Sequence, residues 1–141
     1  MSQTSFPLQI ELRIDWSELD LFGHVNNVMY FKYIQAARVN YWETIGINAS
    51  FKENKLGPIL LSSSCQFKKQ LLYPGNIIVK TGINFIKTTS FGIHHHIIDK
   101  QGDIVAEAED VIVMFDFMKN EKVPVPAEMR ALVEKLEGRT Y

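Results

Sequence analysis

The sequence predicts an α+β domain in which an antiparallel sheet curls around one long helix. Three observations carry that expectation. Segments rich in Val, Ile and Phe fall mostly after residue 57, the longest helical pattern falls before residue 47, and the strand-like segments are joined by short runs of turn-forming residues. At 141 residues the chain is long enough for one core, expected to span 1–141 as a single domain.

The first strand is expected over residues 6–14, where Phe6, Leu8, Ile10, Leu12 and Ile14 alternate with Pro7, Gln9, Glu11 and Arg13. Over residues 27–45, Phe31, Ile34, Arg38, Tyr41, Trp42 and Ile45 recur at helical spacing. Val28, Met29, Ala36 and Val39 widen the apolar surface beyond one stripe, so this helix should be largely covered. Asn26 or Asn27 is a suitable N-cap, because its side chain accepts from the open amides of the first turn, and Gly46 is a suitable stop.

Segments 59–69, 76–87, 91–100 and 103–118 then read as strands. Tyr73-Pro74-Gly75, Thr88-Thr89-Ser90 and Lys100-Gln101-Gly102-Asp103 separate them, and connections this short favour antiparallel neighbours. Val111 to Phe115 is apolar without alternation, which places the last strand centrally, with both faces covered. Lys122-Val123-Pro124-Val125-Pro126 ends the sheet, and Met129, Leu132, Val133 and Leu136 mark a short amphipathic helix over 127–137. One sheet covers only one side of the long helix, so association through sheet edges or helices is expected.

Composition narrows the function. Fifteen Lys and Arg against sixteen Asp and Glu leave a net charge of -1, without the positive field that draws proteins to nucleic acid or anionic membranes. No apolar run approaches the roughly 18 residues of a membrane span, and the first six residues lack the basic and apolar parts of a leader, so a cytoplasmic location is expected. The single cysteine, Cys65, has no partner for an internal disulfide and no adjoining basic residue, and reads as a small buried hydrophobe.

The densest run of polar functional groups, from Asp15 to Tyr30, falls where the first strand joins the long helix. Unpaired amides at a helix start favour developing negative charge. Gly23 permits a tight turn and close approach of a substrate, and Asp20 upstream supplies a carboxylate able to act as base or nucleophile. A carbonyl held over the amide of Asn27 with Asp20 facing it would be a minimal acyl-transfer site. The same spacing also suits a plain turn before a capped helix, with Asp20 a turn carboxylate, His24 a solvated ring and Tyr30 a packed aromatic.

Leu19-Asp20-Leu21-Phe22-Gly23-His24-Val25-Asn26-Asn27-Val28-Met29-Tyr30-Phe31, with Ala37-Arg38 downstream, closely resembles the signature of the hotdog-fold acyl-CoA thioesterases of the 4-hydroxybenzoyl-CoA thioesterase family. The resemblance continues through Leu72-Tyr73-Pro74-Gly75, Thr89-Ser90-Phe91 and Pro124-Val125-Pro126, covering nearly the whole chain. It implies a hotdog fold and hydrolysis of an acyl-CoA thioester to free acid and coenzyme A. Asp20 would be the catalytic general base or nucleophile, and the backbone amide of Asn27 would polarise the carbonyl. Gly23, His24 and Tyr30 would shape the pocket, and Lys87 and Ser90 would lie near the coenzyme A phosphates. It further implies a homodimer or homotetramer with active sites between subunits, and neither a metal nor a redox cofactor.

Two other readings stay in view, a hotdog hydratase or dehydratase and a non-catalytic module that binds acyl thioesters or fatty acids. His94-His95-His96 places two imidazoles on one strand face, without a third ligand at recognisable spacing. They are expected on a polar sheet face or at a subunit contact. Lys68-Lys69 reads as a solvated strand end from which one lysine could assist an anionic ligand. Phe22, Met29, Phe31 and Tyr33 are candidates to line or shorten an acyl tunnel.

Overall fold

Residues 6–141 are described by a computed structural model, Ser50 as backbone only. The first strand, β1 (Leu8–Arg13), is followed by a short 3-10 turn (Trp16–Glu18), the long helix α1 (Asn27–Ile45) and a second helix, α2 (Ile47–Asn54). Strands β2 (Leu56–Phe67), β3 (Asn76–Ile86), β4 (Ser90–Ile98) and β5 (Ile104–Asp116) come next, then the two-residue β6 (Glu121–Lys122) and helix α3 (Ala127–Glu137). The α1 boundaries match expectation because both ends are locally encoded. The Asn26 side chain accepts from the Val28 amide, and Gly46 closes the helix in the left-handed conformation.

The sheet is antiparallel, in the order β1-β3-β4-β5-β2, with β6 on β5. β5 is central, as its apolar run predicts. The expectation that β2 and β3 are neighbours is wrong. β2 pairs with β5, in register from Leu56 against Asp116 to Phe67 against Ala106, while β1 takes the free edge of β3. The 68–75 connection therefore crosses from one side of the sheet to the other. Helix α2, absent from the sequence reading, turns off α1 at Gly46; Phe51 on it meets Phe117 edge-on at 5.4 Å.

α1 crosses the sheet and divides the core. Its first half packs Tyr30, Tyr33, Ile34 and Ala37 against Ile77, Val79, Ile97 and Val105. Its second half packs Tyr41, Trp42 and Ile45 against Ile83, Phe91, Ile93 and Met114, with Met129 and Val133 of α3 closing that end. Each large apolar side chain buried in this way contributes about 1.5–3 kcal/mol. The expectation of a largely covered helix holds on this side only. Val28, Phe31 and Val39 remain exposed on α1, as do Leu60, Leu61 and Phe67 on the edge strand β2.

The register of β3 against β4 shifts between Ile83 and Phe85. At that bulge the Glu137 carboxylate accepts from the Ile83 amide (2.8 Å) and the Tyr41 hydroxyl (2.7 Å), and the Tyr141 hydroxyl donates to the Ile83 carbonyl (2.6 Å). A Cβ on Gly92 would lie 2.2 Å from the Phe85 ring, so only glycine fits opposite the bulge.

A polar row crosses the core beneath α1. Asp110 on β5 is 1% exposed; its Oδ2 accepts from Arg38 of α1 (2.8 Å) and meets His95 Nε2 (2.8 Å), and its Oδ1 accepts from the Ser63 hydroxyl (2.7 Å). His95 Nδ1 lies 3.1 Å from the Thr81 hydroxyl. Burial pushes the Asp110 carboxyl up, but His95, Ser63 and Arg38 outweigh it and hold the group below the usual range. β2, β3, β4, β5 and α1 thus meet at one satisfied node.

Candidate active site between the first connection and the end of β2

The chain leaving β1 is tied to α1 through Glu18. This buried carboxylate accepts from the Asp15 amide (2.8 Å) and the Tyr33 hydroxyl (2.7 Å) through Oε1, and from Lys32 (3.0 Å) through Oε2. Burial would raise it, yet these hydrogen bonds hold it below the ordinary range. The Glu18 carbonyl accepts from the Asn26 amide (2.9 Å), and Leu19 bridges Val25, so the intervening segment closes into a loop fixed at the start of α1.

Inside that loop Asp20 organises its own turn. Its amide donates to the His24 carbonyl (2.7 Å), and its Oδ1 accepts from the amides of Phe22 (2.8 Å) and His24 (3.1 Å). Gly23 sits at φ 81°, where a side chain is strained. One carboxylate oxygen is therefore locked by two backbone donors, while Oδ2 has no hydrogen-bond partner among the described residues. At the helix start the Asn26 cap takes the Val28 amide (3.1 Å) and the Asn26 carbonyl takes the Met29 amide (2.9 Å). The Asn27 amide, first in the helix, has no intrahelical acceptor.

The facing wall is the connection after β2. The Val25 amide donates to the Leu71 carbonyl (2.9 Å) and His24 bridges Leu72. The Tyr30 hydroxyl accepts from the Leu71 amide (3.2 Å) and reaches the Lys69 carbonyl (3.5 Å). Phe67, the last residue of β2, stands edge-on to the Tyr30 ring with centroids 4.9 Å apart. Between the walls lies an open cleft of about 420 Å³ lined by Asp20, His24, Val25, Asn27, Tyr30, Phe67 and residues 68–70. The Lys69 ammonium is spent on Asp99 (2.9 Å) and Asp103 (2.7 Å), and Lys68 lies 4.0 Å from Glu107.

Asp20, His24, Asn27 and Tyr30 thus share one cleft, and Gly23 shapes the turn beside it. Lys87 and Ser90 do not join them within one chain. They close the hairpin between β3 and β4 through a 2.7 Å backbone hydrogen bond, and the Lys87 ammonium lies over the Phe85 ring at 5.1 Å. The 11 residues of β3 separate that hairpin from the cleft, roughly 35 Å of strand. Of the tunnel candidates, Phe22 is 79% exposed and Tyr33 is buried on Glu18; the cleft's aromatic walls are Tyr30 and Phe67.

His94 and His96 share the outer sheet face, as expected, with the Phe6 ring 4.7 and 4.6 Å from theirs. Among the described residues no three His, Cys, Asp or Glu side chains are grouped to hold a metal. Burial pushes the Cys65 thiol up to about 11, which keeps it protonated and unreactive. Sequence reasoning missed Phe67 and the Asp110 node. Arg38 within an apolar helical stripe and Asp110 ahead of a continuous apolar run were the signals for the node, since a charge placed there needs a buried partner.

Residues 14–133 match the family model of the thioesterase-like superfamily. The chain belongs to that superfamily. Among other thioesterase-like proteins it is similar to the long-chain acyl-CoA thioesterase FadM of Escherichia coli, 19% identical over 134 residues, 92% of this chain and 98% of that protein. The acyl-acyl carrier protein thioesterase ATL3 of Arabidopsis thaliana is 28% identical over 125 residues, 87% of this chain. The protein YsmA of Bacillus subtilis is 24% identical over 93 residues, 66% of this chain. These matches span 65% of ATL3 and 62% of YsmA, so the chain covers less than two-thirds of either relative. A Thermus thermophilus thioesterase solved with coenzyme A and zinc superposes with a TM-score of 0.86 at 21% identity, over 99% of this chain and 100% of that one. The PA2801 protein of Pseudomonas aeruginosa superposes at 0.81 with 27% identity, over 89% and 97%. The curled sheet around α1 is the hotdog fold. No described helix is long and apolar enough to cross a membrane.

Proposed function

We propose that the chain hydrolyses an acyl-CoA thioester to free acid and coenzyme A, as a member of the 4-hydroxybenzoyl-CoA thioesterase family within the superfamily. The observation that carries this reading is the Asp20 carboxylate, pinned through Oδ1 by two backbone amides while Oδ2 has no partner among the described residues, in a cleft that Asn27, the first residue of α1, also lines. A thioester carbonyl laid over the Asn27 amide gains a donor for the oxygen that becomes negative, reinforced by the helix dipole. Asp20 then either takes a proton from an attacking water, later passed to the departing thiolate or to solvent, or attacks the carbonyl carbon itself. Direct attack gives an acyl-aspartyl anhydride that a water then cleaves, releasing the free acid and restoring the carboxylate. The tetrahedral intermediate collapses by breaking the C–S bond, and coenzyme A leaves as the thiolate. His24 and Tyr30 shape the pocket, and Gly23 keeps the approach open.

The uncovered stripe of Val28, Phe31 and Val39, with Leu60 and Leu61 on the edge strand, supports assembly with a second copy as a homodimer or homotetramer. Such assembly would bring the Lys87 and Ser90 hairpin of one copy to the cleft of the other. Asp20→Asn preserves the turn, since the amide oxygen still accepts from Phe22 and His24, and removes the basicity. Thiol release from the best acyl-CoA should fall about 100-fold or more. Near-wild-type turnover of that variant overturns the assignment of Asp20.

A further inference from the structure

The apolar side chains of the cleft are not equivalent. Val25 and Tyr30 are 5% and 3% exposed and belong to the core, and the Tyr30 hydroxyl is fixed by the Leu71 amide. Phe67 is 48% exposed and rests edge-on against Tyr30. It ends β2 on the inward row that continues through half-buried Cys65 to Ser63, whose hydroxyl reaches Asp110 beneath α1. A smaller side chain at position 67 would lengthen the cleft along β2 toward Cys65. A larger one would close it over Tyr30.

We propose that Phe67 determines which acyl groups the cleft admits, favouring short or flat aromatic ones over long straight chains; this rests on the thioester reading of the same cleft. A carbonyl held between Asp20 and the Asn27 amide directs its substituent at the fixed Tyr30 ring and the Phe67 ring beside it. Two rings at 82° make a wall against which a planar group packs edge to face, while an extended chain meets the Phe67 ring. One methylene in such a pocket changes discrimination about 10- to 200-fold, so a single ring suffices to set the preference.

The test compares the wild type with Phe67→Ala, Phe67→Leu and Phe67→Trp on saturated acyl-CoAs from acetyl to palmitoyl plus benzoyl-CoA. Thiol release gives kcat and KM, and calorimetry with non-hydrolysable thioether analogues of the same series gives affinity. Phe67→Ala should raise the long-to-short ratio of kcat/KM about 10-fold or more through KM, Phe67→Leu by less, and Phe67→Trp should lower it. The same chain-length profile in wild type and all folded variants, by turnover and by binding, overturns the proposal. If no member of the series is hydrolysed yet the binding profile shifts with the side chain at 67, the role of Phe67 stands and the hydrolytic reading falls.

Discussion

Asp20 and Asp110 are both carboxylates fixed by hydrogen bonds, in two regions that handle charge in opposite ways. Around Asp110 both carboxylate oxygens are used, with Arg38 and His95 on one and Ser63 on the other, and Asp110 and His95 themselves are fully buried beneath α1. Around Asp20 one oxygen is locked by backbone donors and the other has no partner among the described residues, in a cleft that Asn27 at the start of α1 also lines. The buried histidine and aspartate resemble catalytic equipment more closely, yet their hydrogen bonds are spent on joining four strands to α1. The simpler turn leaves one acceptor and one donor without partners among the described residues, and the proposed chemistry rests on that pair.

Breaking the buried side of this contrast should have the largest effect. Asp110→Ala strands Arg38 and His95 without their shared anion and should cost about 3–5 kcal/mol in urea unfolding. Asp20→Asn should move the unfolding midpoint little while lowering turnover about 100-fold, which separates chemistry from stability. Gly23→Ala meets no atom within 4 Å but must hold φ 81°, so it should cost about 1–2 kcal/mol and loosen the turn that orients Asp20.

The subtlest effect concerns pH. Burial pushes the Glu137 carboxyl up, against the opposing pull of the Ile83 amide and the Tyr41 hydroxyl. Its contribution is thus full below the ordinary glutamate range and fades as pH rises through the elevated folded value. Asp110 runs the other way. Its contribution is present above the ordinary range and is lost as pH falls below about 4. Thermal melts of Glu137→Gln from acid to neutral pH should show a flatter decline on the rising-pH side than the wild type, with the acid limb unchanged. An identical decline in both proteins would remove Glu137 as its source.

What the sequence made legible was local. Alternation marked β1, the Asn26 cap and Gly46 stop marked α1, and the run from Asp20 to Tyr30 marked one wall of the cleft. Features that depend on distant pairings were hidden. β2 joins β5 because the 68–75 connection crosses the sheet, which no turn composition announces. α2 has only eight residues, and Phe51 meets Phe117 from far along the chain, leaving too short a period to read. Phe67 looked like an ordinary strand residue until the fold set it against Tyr30.

The bridge between His24 and Leu72 and the hydrogen bond from Val25 to the Leu71 carbonyl join the Asp20 turn to the strand connection opposite, and the Tyr30 hydroxyl accepts from the amide of the same Leu71. These parts form a single stiff jaw. Moving the Asp20 turn and the start of α1 away from the opposite wall of the cleft would require rupturing all three links. On the proposed thioester reading, accommodation of a guest would fall on the half-exposed strand-end ring, so tolerance of guest shape and alignment of the reacting groups would sit on separate pieces of the chain.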